Sequence, residues 1–244
     1  MSEAKKQHLL VIGGHIGDVE NTGGLVAAKY AQAGHRVTLL HMTGGEKGNP
    51  AVHHMKYREQ RVIEAHDFAQ TIGASECIIL DHPDGELQVD EPTINEMCDL
   101  IRRLKPDIVL THWRGSFHRD HRNTYEIVME GGFLAALPGI ERSLPAHLIK
   151  GLYYCENWED MEEYEPNLWV DVTDSFDTWV KACEKSQLLR GEISYKYLQH
   201  YKGLAATRGA EVGVKYAVTF SLPPISRKRK IDWFPIETEP VLIF

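Results

Sequence analysis

Long apolar runs are missing from this sequence. The first aliphatic stretch, Leu9–Ile12, is cut short by Gly13, Gly14 and His15, and no other approaches the length of a membrane span or of a signal peptide. The expectation is a cytoplasmic protein with no membrane partner. Positive charge is also in deficit. The 27 Lys and Arg stand against 35 Asp and Glu, a net charge of −8, which argues against a nucleic-acid partner. The basic run Ser226–Lys230 goes the other way and reads as a solvated loop. Cysteine is scarce and scattered: Cys77, Cys98, Cys155 and Cys183 form no C-x-x-C pair and read as reduced, mostly buried thiols. The dinucleotide fingerprint is incomplete as well. Gly14 and Gly17 fit its second and third glycines, but Ile12 stands at the first, and strand two ends in Leu40-His41-Met42 without an acidic residue.

What is present is ordinary globular composition, 43% hydrophobic and 25% charged, over 244 residues, which suits one large domain spanning 1–244. The first half alternates short aliphatic runs with helical patterns. Strands are expected at His8–Gly14, Arg36–Met42, Cys77–Leu80 and Asp107–Thr111. Between them fall helices at Leu25–Ala31, Tyr57–Ile72 and Glu91–Leu104, closed by Gly34, Gly73 and Pro106. Beyond Thr111 the pattern loosens. Helices are expected at Asn123–Leu137, Ser175–Arg190 and Ile193–Ala206, and strands at Leu148–Tyr154 and Leu168–Val172. Continuous rather than alternating apolar strands imply an α/β fold, a Rossmann-like and mostly parallel sheet with helices on both faces.

In such a sheet ligands bind at the carboxyl ends of the strands. Strand one runs into His15, Gly17, Asp18 and Glu20, strand two into Thr43–Gly48, and strand four into His118, Asp120 and His121. A catalytic divalent ion commonly takes three His or carboxylate ligands and keeps a position open for water. Either cluster alone reads as a polar surface loop. Both together, at neighbouring strand ends, read as a metal site.

The segment Gly14–Glu20 resembles the A-H-P-D-D-x-E element of the LmbE-like, or PIG-L (N-acetylglucosaminyl-phosphatidylinositol deacetylase), family. His118-Arg119-Asp120-His121 resembles its H-P-D-H element, Thr43–Gly48 its T-x-G-E-x-G loop, and Pro83-Asp84-Gly85 its P-D-G turn. Tyr57-Arg58 is similar to the start of its second helix, and Arg208–Ala217 to its R-G…G-x-x-Y-A stretch. The resemblance implies a zinc-dependent deacetylase of N-acetylated amino sugars or their conjugates, and a homo-oligomer. It makes His15, Asp18 and His121 the metal ligands, with Zn2+ the expected ion and other first-row divalent ions alternatives. It makes His118 the residue that stabilises the oxyanion and protonates the leaving amine, with Asp120 orienting its ring. Glu46, Arg58 and Asp84 would face the substrate; Arg58 as a helix-surface charge and Asp84 as a plain turn residue stay open. His82, beside Pro83-Asp84, mimics the first metal motif and is read as a decoy.

One position departs from the pattern. The family's general base is the first aspartate of A-H-P-D-D, and here it is Gly17, preceded by Ile16 in place of proline. A positioned base contributes about 10²–10⁴-fold in rate. Another carboxylate, Glu46 or Glu20, takes over the role, or the chain has left hydrolysis behind and binds a metal or carbohydrate without turning it over. Glu20 has the simpler reading of a charge at a helix N-terminus. Specificity is expected in Leu137–Pro166, where Trp158 and the acidic run Glu159–Glu163 form a pocket wall or a solvated loop.

Overall fold

The computed structural model describes residues 6–159 and 162–224. The Ser226–Lys230 run therefore lies outside the described residues. The chain runs β1 (His8–His15), α1 (Gly24–Gln32), β2 (Arg36–Thr43), α2 (His54–Ile72), β3 (Glu76–His82), α3 (Glu91–Leu104) and β4 (Ile108–Thr111). It continues with α4 (Arg119–Ala136), β5 (Gly151–Cys155), β6 (Leu168–Asp171), α5 (Phe176–Cys183), α6 (Tyr197–Val212) and β7 (Ala217–Ser221). The strands form one mixed sheet in the order β3-β2-β1-β4-β5-β7-β6. The first five are parallel, and β7 is antiparallel to both of its neighbours.

The sheet is covered on both faces, and β1 shows why its sequence is continuously apolar. Successive side chains point to opposite faces. Leu9 and Val11 pack with Val37 and Leu39 under α1, α2, α5 and α6, through Phe68, Trp179 and Tyr201. Leu10 and Ile12 pack with Leu40 and Met42 under α3 and α4, through Met97, Ile101 and Ile127. A strand buried on both sides has no polar face to alternate with. The order turns back at β1, flanked by β2 on one side and β4 on the other. This is the topological switch point, where strand ends splay to leave a crevice.

Local chemistry sets the helix boundaries. Asp90 caps α3 by accepting the Thr93 N–H at 2.9 Å, and Pro92 stands in its first turn. His118 caps α4, so that helix begins at Arg119 rather than at Asn123. The buried guanidinium of Arg102 donates to five carbonyls, of Leu134, Ala135, Leu137, Ile140 and Leu144, at 2.9–3.2 Å. It thereby satisfies the otherwise orphaned end of α4. The expected helix Ser175–Arg190 stops at Cys183, and the next begins at Tyr197 and runs to Val212, where Gly213 closes it at φ +75°. Cys98, Cys155 and Cys183 are buried, Cys77 is partly so, and all four are free. No helix among the described residues is long and apolar enough to cross a membrane.

Candidate functional site

Loops from the carboxyl ends of several strands meet at the switch point. His15 is the last residue of β1, and Asp18 follows one tight turn later, leading into a single π-helical turn at Val19–Gly23. Gly17 makes that turn with φ +112°, a conformation that side chains rarely adopt. Its N–H donates to Glu20 Oε2 at 2.7 Å, and its carbonyl accepts from Asn21 N at 3.1 Å. From the neighbouring strand, the loop after β4 brings His118, Asp120 and His121 onto the first turn of α4.

The three sequence-expected ligands come together. His15 Nδ1 and Asp18 Oδ2 are 3.1 Å apart, Asp18 Oδ2 and His121 Nε2 are 3.1 Å apart, and His121 Nε2 and His15 Nδ1 are 3.2 Å apart. Donors bound tetrahedrally at the ~2.0–2.1 Å of zinc–nitrogen and zinc–oxygen bonds stand about 3.3 Å from one another. The triangle is thus the right size and the right chemistry for one such ion. His112, stacked on the His121 ring at 4.1 Å, puts its Nε2 3.3 Å from Asp18 Oδ2 and completes a second possible set with Asp18 and His121. Its Nε2 already accepts the Gly14 N–H at 3.0 Å.

Charge in this cluster is shared tightly. Burial disfavours a charged His121, but Asp18 beside it outweighs burial and pushes its pKa up to about 9. His15 is raised well above the usual imidazole value by the same contest, with Asp18 and then Asp120 prevailing over burial. Asp18 is held well below the carboxylate range against burial, by His121 and His15. His112 goes the other way, to about 4, through burial and the adjacent His121 charge. Burial also lowers His118, with the charges of His15 and His121 adding to it.

The supporting residues differ in part from expectation. The Asp120 carboxylate does not orient His118. Its Oδ2 lies 3.2 Å from His15 Nε2 and accepts the Gly85 N–H at 2.6 Å. It is the backbone N–H of Asp120 that donates to His118 Nδ1, at 3.2 Å. An Nδ1 that accepts leaves the neutral ring's proton on Nε2, so His118 offers a donor to the cleft it lines. Asp84 lies in the cleft wall with its Oδ1 3.2 Å from His15 Nε2. Glu46 and Arg58 stand behind the wall instead of facing the cleft. Glu46 Oε1 accepts the Asp84 N–H at 3.1 Å, and Arg58 bonds Asp81 at 2.8 Å and the Leu80 carbonyl at 3.3 Å. Both are drawn to the loop ends that they brace. His82 is turned away, paired with Glu96 at 2.7 Å.

Glu20 and Glu46, the carboxylates considered for the vacant base position, are both buried and committed to backbone N–H groups. The space itself is occupied. Arg61, fully buried in α2, donates to the Ile16 carbonyl at 2.5 Å and to Glu64 at 2.7 Å. Three contributors escaped sequence reasoning: His112, Arg61 and Glu159. Only Glu159 left a signal, as part of the acidic run considered for a pocket wall. The cleft measures about 240 Å³, and its aromatic side is built by Phe117, Trp158 and Tyr197.

Residues 10–131, half of the chain, match the sequence model of the PIG-L (GlcNAc-PI de-N-acetylase) family. The chain belongs to the PIG-L family. Among relatives, it is 24% identical over 243 residues to 4-oxalmesaconate hydratase of Pseudomonas putida, covering 94% of this chain and 90% of that one. It is 27% identical over 206 residues to diacetylchitobiose deacetylase of Thermococcus kodakarensis, covering 78% and 73%. A conserved protein of Thermus thermophilus has a solved structure that superposes with a TM-score of 0.80 at 22% identity, covering 94% of this chain and all of that one. PIG-L relatives thus include both deacetylases and a hydratase, and this member carries a His/Asp cluster able to hold a metal.

Proposed function

We propose that this PIG-L protein is a metal-dependent hydrolase that removes the acyl group from a neutral N-acetylated amino sugar or a related N-acyl compound. The observation that carries the reading is the triangle of His15 Nδ1, Asp18 Oδ2 and His121 Nε2, 3.1–3.2 Å on a side, opening into a cleft shared with His118. These three would hold the ion, zinc being the best match to two imidazoles and one carboxylate. When bound, a divalent ion there supplies Lewis-acid activation of the acyl carbonyl and of the attacking water.

The chain's own residues orient the ligands and receive the acyl oxygen and the sugar. Asp84 and Asp120 accept from His15 Nε2–H and so direct Nδ1 inward, the usual second task of a carboxylate beside a ligating histidine. His118 Nε2–H donates to the acyl oxygen as that oxygen gains charge, its ring held by the Asp120 N–H and so aimed in advance. Phe117, Trp158 and Tyr197 offer apolar faces of the kind on which a sugar ring stacks.

A hydratase reading is favoured by Gly17, which removes the usual base, and by the similarity to the Pseudomonas hydratase along 94% of the chain. Against it, no Lys or Arg lines the cleft among the described residues, whereas an oxalmesaconate-like substrate carries several carboxylates that such cations would receive. Its carboxylates, Glu159, Asp84 and Asp18, face His15 and His121 instead. The test is direct. The zinc-loaded protein is assayed for acetate release from N-acetylglucosamine and N,N′-diacetylchitobiose, and for hydration of an unsaturated dicarboxylate. Acetate release supports the proposal. Turnover of the dicarboxylate alone replaces it with the hydratase, and inactivity on both with a zinc-bearing chain favours the binding protein.

A further inference from the structure

Glu159 lies beyond the segment that matches the family model, on the loop that follows β5. Its side chain is almost completely buried, yet it reaches the cleft. One carboxylate oxygen, Oε1, pairs with His121 Nδ1 and accepts from Ser116 Oγ at 2.8 Å. Ser116 Oγ is itself 3.2 Å from His121 Nδ1. The opposite ring nitrogen, Nε2, is the one that meets Asp18 and His15. Glu159 and Asp18 therefore grip the two ends of one imidazole.

We propose that Glu159 is a positioning residue for metal binding: it holds the His121 ring with its proton on Nδ1 and its Nε2 lone pair on the ion. This rests on the metal reading above. While bonded to Nδ1, Glu159 cannot reach the ion on the Nε2 side, so it acts through His121 and is not itself a ligand. A buried carboxylate without a partner costs several kcal/mol. Here the loop that carries it is built to keep it in place. Asn157 Nδ2 donates to Glu159 Oε1 at 3.3 Å, and Tyr201 of α6 donates to Asn157 Oδ1 at 2.8 Å. Just before them, Glu156 takes Arg208 of α6 at 3.0 Å and Thr219 of β7 at 2.5 Å. The C-terminal part of the chain thus reaches into a site whose ligands all come from the N-terminal half.

The experiment measures zinc affinity of the metal-stripped full chain by competition with a chromophoric chelator, and the visible spectrum of the cobalt(II) form. Glu159→Gln keeps the size and loses the charge. It is expected to bind one zinc about 10–100-fold more weakly than wild type, the usual loss for a carboxylate behind a ligating histidine, and to shift the cobalt bands. Glu159→Asp, which withdraws the carboxylate by one carbon, is expected to lie between, and serves if the Gln variant does not fold. Glu163→Gln, an exposed partner of Arg114 on the same loop, is expected to match wild type. Unchanged affinity in Glu159→Gln or Glu159→Asp, with zinc lost in His121→Ala, overturns the inference and leaves the metal reading standing. Weaker binding with an unaltered cobalt spectrum overturns it too, since a general loosening would do that. A wild-type chain that binds no zinc overturns both.

Discussion

Arg61 fills the space that a side chain at position 17 would need. A Cβ placed on Gly17 would come within 2.9 Å of the Arg61 Nη2 and 3.2 Å of a Leu188 methyl. The guanidinium is held there by Ile16 O, Glu64 and Ser186. Arg61 in this place and a side chain at position 17 therefore exclude one another.

An aspartate placed at position 17 will accordingly not supply a base. Gly17→Asp combines a steric conflict with a backbone at φ +112°. Strain of this kind costs about 1–3 kcal/mol. For a chain of this size that is roughly 3–10 °C in Tm. Calorimetry is expected to show that drop, with no gain in acetate release. A large gain in activity at unchanged Tm would show that Arg61 yields readily.

His118 is expected to matter for turnover and not for metal. His118→Ala removes a donor aimed at the developing oxyanion, a loss of about 10²–10³-fold in kcat. Metal content by elemental analysis should stay at the wild-type value, because the donor triangle of His15, Asp18 and His121 is complete without His118. Activity equal to wild type would remove His118 from the reaction.

The pH dependence follows from His121. Its pKa in the folded, metal-free chain is about 9, above the unfolded value of 6.5. Its pairing with Asp18 then stabilises the metal-free protein fully below pH 6.5, and that contribution is lost as pH rises through about 9. Zinc needs the ring deprotonated, so its affinity should rise over the same window and proton release should accompany binding. Calorimetric titration in buffers of different ionisation enthalpy measures the protons. Zinc affinity that is flat from pH 6.5 to about 9 would contradict the ligand role of His121.

Arg102 offers a stability test far from the chemistry. Arg102→Met leaves the carbonyls at the end of α4 without donors while conserving apolar bulk. Removing a buried, charged, multiply bonded group costs on the order of 3 kcal/mol. Denaturant unfolding should show that loss, with zinc affinity unaltered.

How much of this was legible beforehand depends on what each residue answers to. β1 and β2 were readable because both of their faces are buried, which leaves unbroken apolar runs. α3 was readable because Ile94, Met97, Ile101 and Leu104 recur at helical spacing and Pro106 follows its end. β7 was missed: Ala217-Val218-Thr219-Phe220-Ser221 is short and mixed in polarity, and its partners lie far back in the chain, Cys155 opposite Phe220 and Trp169 opposite Thr219. His15, Asp18 and His121 meet because two adjacent parallel strands end together, a relation that strand order alone supplies. Glu46 and Arg58 sit in motif positions, but a motif fixes which residues recur and not which way they turn. Arg61 and Glu159 act through tertiary neighbours, Ile16 and His121, that no local spacing connects to them.

The insertion of β7 between β5 and β6 has a consequence for the order in which the protein comes into being on the ribosome. His15, Asp18 and His121 are synthesised early, and the strands that bring them together, β1, β2 and β4, can pair before the second half of the chain exists. The strand that leads into the loop carrying Asn157, Trp158 and Glu159 gains its second strand neighbour only once Phe220 and Ser221 have emerged to pair with Cys155 and Tyr154. A nascent chain would thus pass through a stage with His15, Asp18 and His121 gathered and one wall of the cleft still incomplete, and the finished cleft would be among the last features that it acquires.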